Sequence, residues 1–211
     1  YTAAATVRKL YEMKLSIPCI DTICNAADKS TENQSIEEIS KCIEIAANLK
    51  IPYVRIHSGA FENIEEGAEN TARIIEKVLE TAEKKGITIL VETSGIFCNT
   101  SVLRDLLNRF ACDNLAALWD MHCPYFHANE QADDTIKNLG AYIKHVHIKD
   151  AVMNDDGIEY CIIGEGKLPI GEMMLGLRSV NFDGFISLEW VPEWCEELDD
   201  MEIIFSQFVN Y

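Results

Sequence analysis

Residues 117–127 read ALWDMHCPYFH, which gathers Trp119, Asp120, His122, Cys123 and His127 into one short stretch. A carboxylate and imidazoles where an apolar run ends are the side chains of a metal site or a proton relay. Comparable residues finish three other apolar runs: Glu92 closes ITILVE, His147 lies in HVHIKD and Glu189 closes GFISLE. A buried carboxylate at a strand end is costly unless it is paired or bound to a cation. The alternative role, capping neighbouring helices, does not explain why four metal-competent groups finish four different strands. Where parallel strands close into a barrel, all their C-terminal ends emerge on one face, which makes these four groups neighbours.

The elements that would position them alternate along the chain. Residues 2–13 read as a helix and MKLSIPCI as a short strand. SIEEISKCIEIAANLK has the pattern of an amphipathic helix, with Ser35 as N-cap and Glu38 completing a capping box. IPYVRIHSG, ITILVETSG, LAALWD, KHVHIKD and GFISLEW read as strands, and a weak strand is expected in GIEYCIIGEG. Helical segments fall between them, the longest ending at Gly86, a residue suited to a left-handed C-terminal cap. Several strands are continuous apolar runs, as strands buried on both faces of a parallel sheet must be. Strand starts near residues 53, 87, 116 and 145 recur at steps of about 30 residues, the spacing of βα units. No linker or low-complexity tract divides the chain, so a single domain over residues 1–211 is expected.

Composition narrows the partners. A formal net charge of -17 opposes phosphate backbones and anionic bilayers, and no basic patch offsets it. Small neutral sugars or cations remain as plausible partners, with no nucleic acid and no membrane expected. No apolar run approaches the length of a membrane span. Eight cysteines include no CxxC pair and sit largely in or beside apolar runs, which reads as reduced thiols in a cytoplasmic protein.

The succession LVETSG, LWDMHCPY, KHVHIKD, IGEGKLP and DGFISLEW resembles the xylose-isomerase-like TIM-barrel superfamily of sugar (phosphate) isomerases and epimerases, from about residue 14 to 194. The fold this implies is α/β, of the (β/α)8 TIM-barrel type. The resemblance further implies that Glu92, Asp120, His147 and Glu189 hold one divalent cation, manganese first, with magnesium, cobalt or zinc as alternatives. It also implies that Glu92 and Glu189 are catalytic, one removing and the other returning a proton beside the substrate carbonyl through an enediolate. An inosose-type dehydratase on the same scaffold is the nearest alternative, and a non-catalytic sugar-binding or scaffold module the next.

Two positions depart from the pattern. Relatives often carry a second histidine where this chain has Cys123, leaving His122 to cover its role as a substrate contact. A complete barrel of the family also begins with a strand before its first helix, whereas this chain begins in a helix. The expectation is thus a barrel lacking or truncating its first strand, with at most seven strands: either a fragment of a longer product or a chain whose first strand is missing or replaced. The seam between MKLSIPCI and GFISLEW would be plugged by the first helix, covered by a second copy in a homo-oligomer, or left open. An open or partner-covered seam is the reading the helix-forming start favours.

The remaining residues keep two readings each. His57 lines the pocket or caps its strand. Lys149, with Asp150, is a surface pair or a contact to substrate or to the cation's ligands. Glu165, between Gly164 and Gly166, orients a loop over the site or is a loop residue. Trp190 and Trp194 wall the pocket or simply pack. His145 is read as structural, one layer below His147, and His127 as a solvated loop residue. The run EWCEELDDMEI reads as a solvated helix start.

Overall fold

A computed structural model describes residues 2–59, 61–155, 157–191 and 201–211. The parallel strands are β1 (Cys19–Asp21), β2 (Tyr53–Ile56), β3 (Thr88–Glu92), β4 (Leu115–Asp120), β5 (Ile143–Ile148) and, later in the chain, β8 (Phe185–Leu188), hydrogen-bonded in that order. Between them run α2 (Glu32–Leu49), α3 (Ile64–Lys85), α4 (Thr100–Phe110), the pair α5 (His122–Ala128) and α6 (Ala132–Leu139), and α7 (Ile170–Ser179). Helix α1 (Ala3–Met13) precedes the sheet and α8 (Met201–Asn210) follows it. This is the TIM-barrel class of fold with β1 and β8 at the two ends of the sheet order. Among the described residues no strand pairs with the outer edge of either. No helix among them is long and apolar enough to cross a membrane.

The central strands explain the division of labour between the two faces of the sheet. All six residues of β4 are buried. Ile89, Val91, Ala117, Trp119 and Val146 join the large cluster under the helices. Leu90, Ala116 and Leu118 instead form a small second cluster with Cys19 and Tyr53, on the opposite face. Side chains alternate along a strand. Two residues beyond Cys19, Tyr53, Leu90 and Leu118 of that second face therefore lie Asp21, Arg55, Glu92 and Asp120. By the same step, with His145 contacting Ser187 from the inside, His147 and Glu189 take the equivalent level. The apolar layer is a floor, and the polar layer above it is the site.

Several local expectations need correcting. The weak strand in GIEYCIIGEG is real, but it does not join the sheet. β7 (Gly157–Cys161) pairs antiparallel with β6 (Asp150–Asn154), a continuation beyond β5, because a turn ending in Gly157 at φ 125 folds the segment back on itself. Among the described residues, six strands therefore make the parallel sheet. MKLSIPCI contributes only its end, since Cys19–Asp21 alone pairs with β2 while Met13 and Leu15 are exposed.

The capping box at Ser35 and Glu38 does not form. Asp28 accepts the Ser30 amide (2.8 Å) and starts a 3-10 turn at Lys29–Thr31, so α2 begins at Glu32 and Ser35 is buried inside it. Glu38 instead accepts the Ile23 amide (2.6 Å), tying α2 to the loop after β1. Pro124 sits in the first turn of α5, where its missing N–H has no intrahelical partner to lose. Gly86 caps α3 as expected, at φ 67. The seven cysteines among the described residues are free.

Candidate active site

Glu92, His147 and Glu189 converge. One ligand atom from each lies within 4.8 Å of those of the other two. His147 Nδ1 stands 3.3 Å from Glu92 Oε1 and 4.0 Å from Glu189 Oε1. Glu92 Oε1 and His147 Nδ1 are both buried, and neither has a hydrogen-bond partner. Unpaired buried polar atoms that face one another are expensive as they stand, and a cation between them would satisfy both. Two carboxylates and an imidazole are a donor set for a hard or borderline divalent ion, so these residues fit the expected metal.

Asp120 belongs to the same level but not to that trio. Its Oδ1 accepts the backbone amides of His122 (2.8 Å) and Cys123 (3.2 Å), and its Oδ2 accepts Lys149 Nζ (2.5 Å). The same Nζ donates to Glu189. Lys149 therefore bridges Asp120 to the trio. It is 5% exposed, and Asp150 beside it 1%, so neither is the surface residue of the bland reading. Burial disfavours the ammonium, but the carboxylates of Asp120 and Glu189 outweigh it and push the lysine's pKa up.

Arg55 was not visible as a site residue in the sequence. It donates to Asp21 (2.8 Å) and Glu92 (3.0 Å), spanning β1, β2 and β3. Burial alone would raise the Glu92 pKa. His147 and Arg55 more than reverse this and bring it down to about 2, so Glu92 is a carboxylate at neutral pH. The available signal was a lone arginine in YVRIH, two residues after an inward-facing Tyr53. Thr93, also unremarked, locks β3 to β4 by accepting the Asp120 amide (2.9 Å) and donating to its carbonyl (3.1 Å).

His122 is buried, packed against the rings of Phe126 (4.7 Å) and Tyr160 (5.3 Å). Burial lowers its pKa to about 4, so it is a neutral imidazole near pH 7. Tyr160 comes from β7, so the hairpin walls the site beside α5. His145 lies below His147 with Nε2 2.8 Å from Ser187 Oγ, and burial lowers its pKa to about 4. His57 follows β2, half-buried and outside the trio. Trp190 follows Glu189, with its indole N–H buried and without a partner. Glu165 is exposed. Trp194 and the acidic run as far as residue 200 lie outside the described residues.

The loop carrying Glu165 is held by Asp150. Its carboxylate accepts the amides of Ala151 (2.9 Å), Gly164 (2.9 Å), Gly166 (3.0 Å) and Leu168 (3.2 Å). A Cβ on Gly166 would meet Asp150 Oδ1 at 2.0 Å and the Ala151 amide nitrogen at 2.7 Å. Gly166→Ala should therefore lower stability by about 1–3 kcal/mol through overpacking, read from denaturant midpoints. Gly171→Ala is the control: a Cβ there meets nothing within 4 Å and the site is helical, so that variant should be neutral or more stable. Equal midpoints for the two variants would show that the Asp150 cradle does not constrain the loop.

Comparison with known proteins gives four relevant likenesses. The model of the family described as xylose isomerase-like TIM barrel matches residues 1–204. A fructoselysine 3-epimerase of Shigella flexneri is 25% identical over 178 residues, covering 81% of this chain and 63% of the relative. A probable endonuclease 4 of Natronomonas pharaonis is 31% identical over 195 residues, covering 81% of this chain and 66% of the relative. This chain thus spans just under two thirds of the length of both relatives. Among solved structures, the IolI protein with a bound zinc atom superposes with a TM-score of 0.82 at 16% identity, over 100% of this chain and 81% of the other.

Proposed function

This chain belongs to the xylose isomerase-like TIM barrel family, and on that premise we propose that it is a metal-dependent isomerase or epimerase of a sugar or sugar phosphate. The observation that carries the reading is the trio of Glu92, His147 and Glu189, contributed by different strands with ligand atoms within 4.8 Å. These three residues would hold the cation, manganese first, with Asp120 as the fourth ligand. A bound divalent ion supplies Lewis acidity toward a substrate carbonyl and its neighbouring hydroxyl.

The protein side of the reaction is proton transfer. Glu92, at the end of β3, and Glu189, just after β8, approach His147 of β5 from opposite directions along the sheet order. A substrate carbon held between them can lose its proton to one carboxylate and regain one from the other, passing through an enediolate. Lys149 donates to Glu189 and Asp120, and Arg55 donates to Glu92, which keeps the carboxylates oriented. His122, His57 and Trp190 border the site as substrate contacts, and the Glu165 loop stands beside the hairpin. A net charge of -17 opposes a nucleic-acid phosphate backbone as substrate, despite the likeness to a probable endonuclease. The cytoplasm, where thiols stay reduced, is the compartment this reading assigns.

The test is incubation with a panel of ketoses and inososes in deuterated water with added Mn2+. Deuterium should enter next to the carbonyl, with an epimer or isomer as product. Loss of water from the substrate would instead favour the dehydratase. Absence of both exchange and turnover in a protein that binds the ion would overturn the enzymatic reading.

A further inference from the structure

Helix α5 presents a second group of donors, and we propose that His122, Cys123 and His127, together with Cys98, form a binding site for a thiophilic divalent cation of the zinc type. One ligand atom from each of the three α5 residues lies within 4.8 Å of the others. Cys123 and His127 are four residues apart, which places them on one face of the helix. Cys98 arrives from the 3-10 turn Gly95–Cys98, and its thiol contacts that of Cys123.

A separate observation points to a ligand. His122 is 1% exposed, yet neither ring nitrogen has a hydrogen-bond partner. A buried imidazole with both nitrogens unpaired forfeits its hydration without compensation. Coordination through one nitrogen would recover that loss.

The donor chemistry separates this group from the trio. Thiolate sulfur and imidazole nitrogen suit zinc in tetrahedral geometry, whereas the two carboxylates and His147 suit a harder ion. Zinc bonds of about 2.0–2.3 Å set tetrahedral ligand atoms roughly 3.3–3.8 Å apart. Exposed His127 is the member with room to turn into that spacing. Each thiol would release its proton to solvent on ligation. None of this site's ligands belongs to the trio, although the two sites adjoin, since the Cys123 thiol also donates to Asp120 Oδ2 (3.4 Å).

Co2+ titration of the metal-stripped, reduced protein tests it. Thiolate-to-cobalt charge transfer should appear in the near ultraviolet within two equivalents, and Zn2+ should bleach it. Cys123→Ser should abolish the band. His127→Ala, at an exposed position that the fold does not require, should weaken Co2+ binding by at least the ~10–100-fold that losing even an outer-shell partner costs. Glu92→Gln should leave the band in place, which separates this site from the trio. A titration without the band would overturn the proposal, as would a band unchanged in either α5 variant.

Discussion

Glu92→Gln and Glu189→Gln should each slow deuterium exchange at the substrate carbon by about two to four orders of magnitude, the usual cost of losing a general acid or base. The substitution keeps shape and removes the negative charge, so the chain should still fold. The two variants differ in what else they disturb. Glu92 is 3% exposed and receives Arg55, so Gln there leaves a buried guanidinium facing a neutral amide. Glu189 is more open, with a side chain 24% exposed, and its loss removes one of the two carboxylates that hold Lys149. Stability should therefore fall further in Glu92→Gln. Metal content has to be measured beside exchange, because both residues are also proposed ligands. Exchange at the unaltered rate in either variant with its ion bound would refute a mechanism shared between two carboxylates.

How far the sequence reaches can be judged at particular residues. LAALWD is a strand over its whole length because a run of apolar residues ending in a carboxylate leaves little else for it to be. Period two along the buried strands then places Glu92, Asp120 and His147 on one face from the chain order alone. What stays hidden depends on contacts between distant parts of the chain. Lys149 next to His147 looks like a charge leaving the core, and only Asp120 and Glu189, from β4 and the end of β8, give it buried partners. Arg55 is silent for the same reason, since Asp21 and Glu92 sit on the strands either side. The hairpin of β6 and β7 was missed because a five-residue strand after a barrel strand carries no signal of which partner it takes. Ser35 failed at short range: the 3-10 turn that Asp28 caps runs directly into α2, whose N-cap position is Thr31, so Ser35 falls inside the helix.

Lys149→Met should destabilise the protein by about 2–4 kcal/mol in the presence of a chelator, and a divalent ion should restore much of that loss. Breaking a buried ion pair by removing one partner costs about 3–5 kcal/mol, because an uncompensated charge remains. The lower range applies here, since Glu189 is partly open to water. Asp120, 2% exposed, would keep two backbone amides and the weakly donating Cys123 thiol (3.4 Å), with no cation. The ammonium and a metal ion compete for the same two carboxylates, so removing the ammonium should tighten divalent-ion binding. Ligand at 100 times its Kd stabilises a native state by about 2.7 kcal/mol, and a tighter site gains more at the same concentration. Denaturant melts with chelator and with excess Mn2+ should thus converge for the variant and the parent protein as the ion is added. Weaker Mn2+ binding by Lys149→Met, or equal stability of the two proteins in chelator, would show that Lys149 does not hold these carboxylates together in place of the ion.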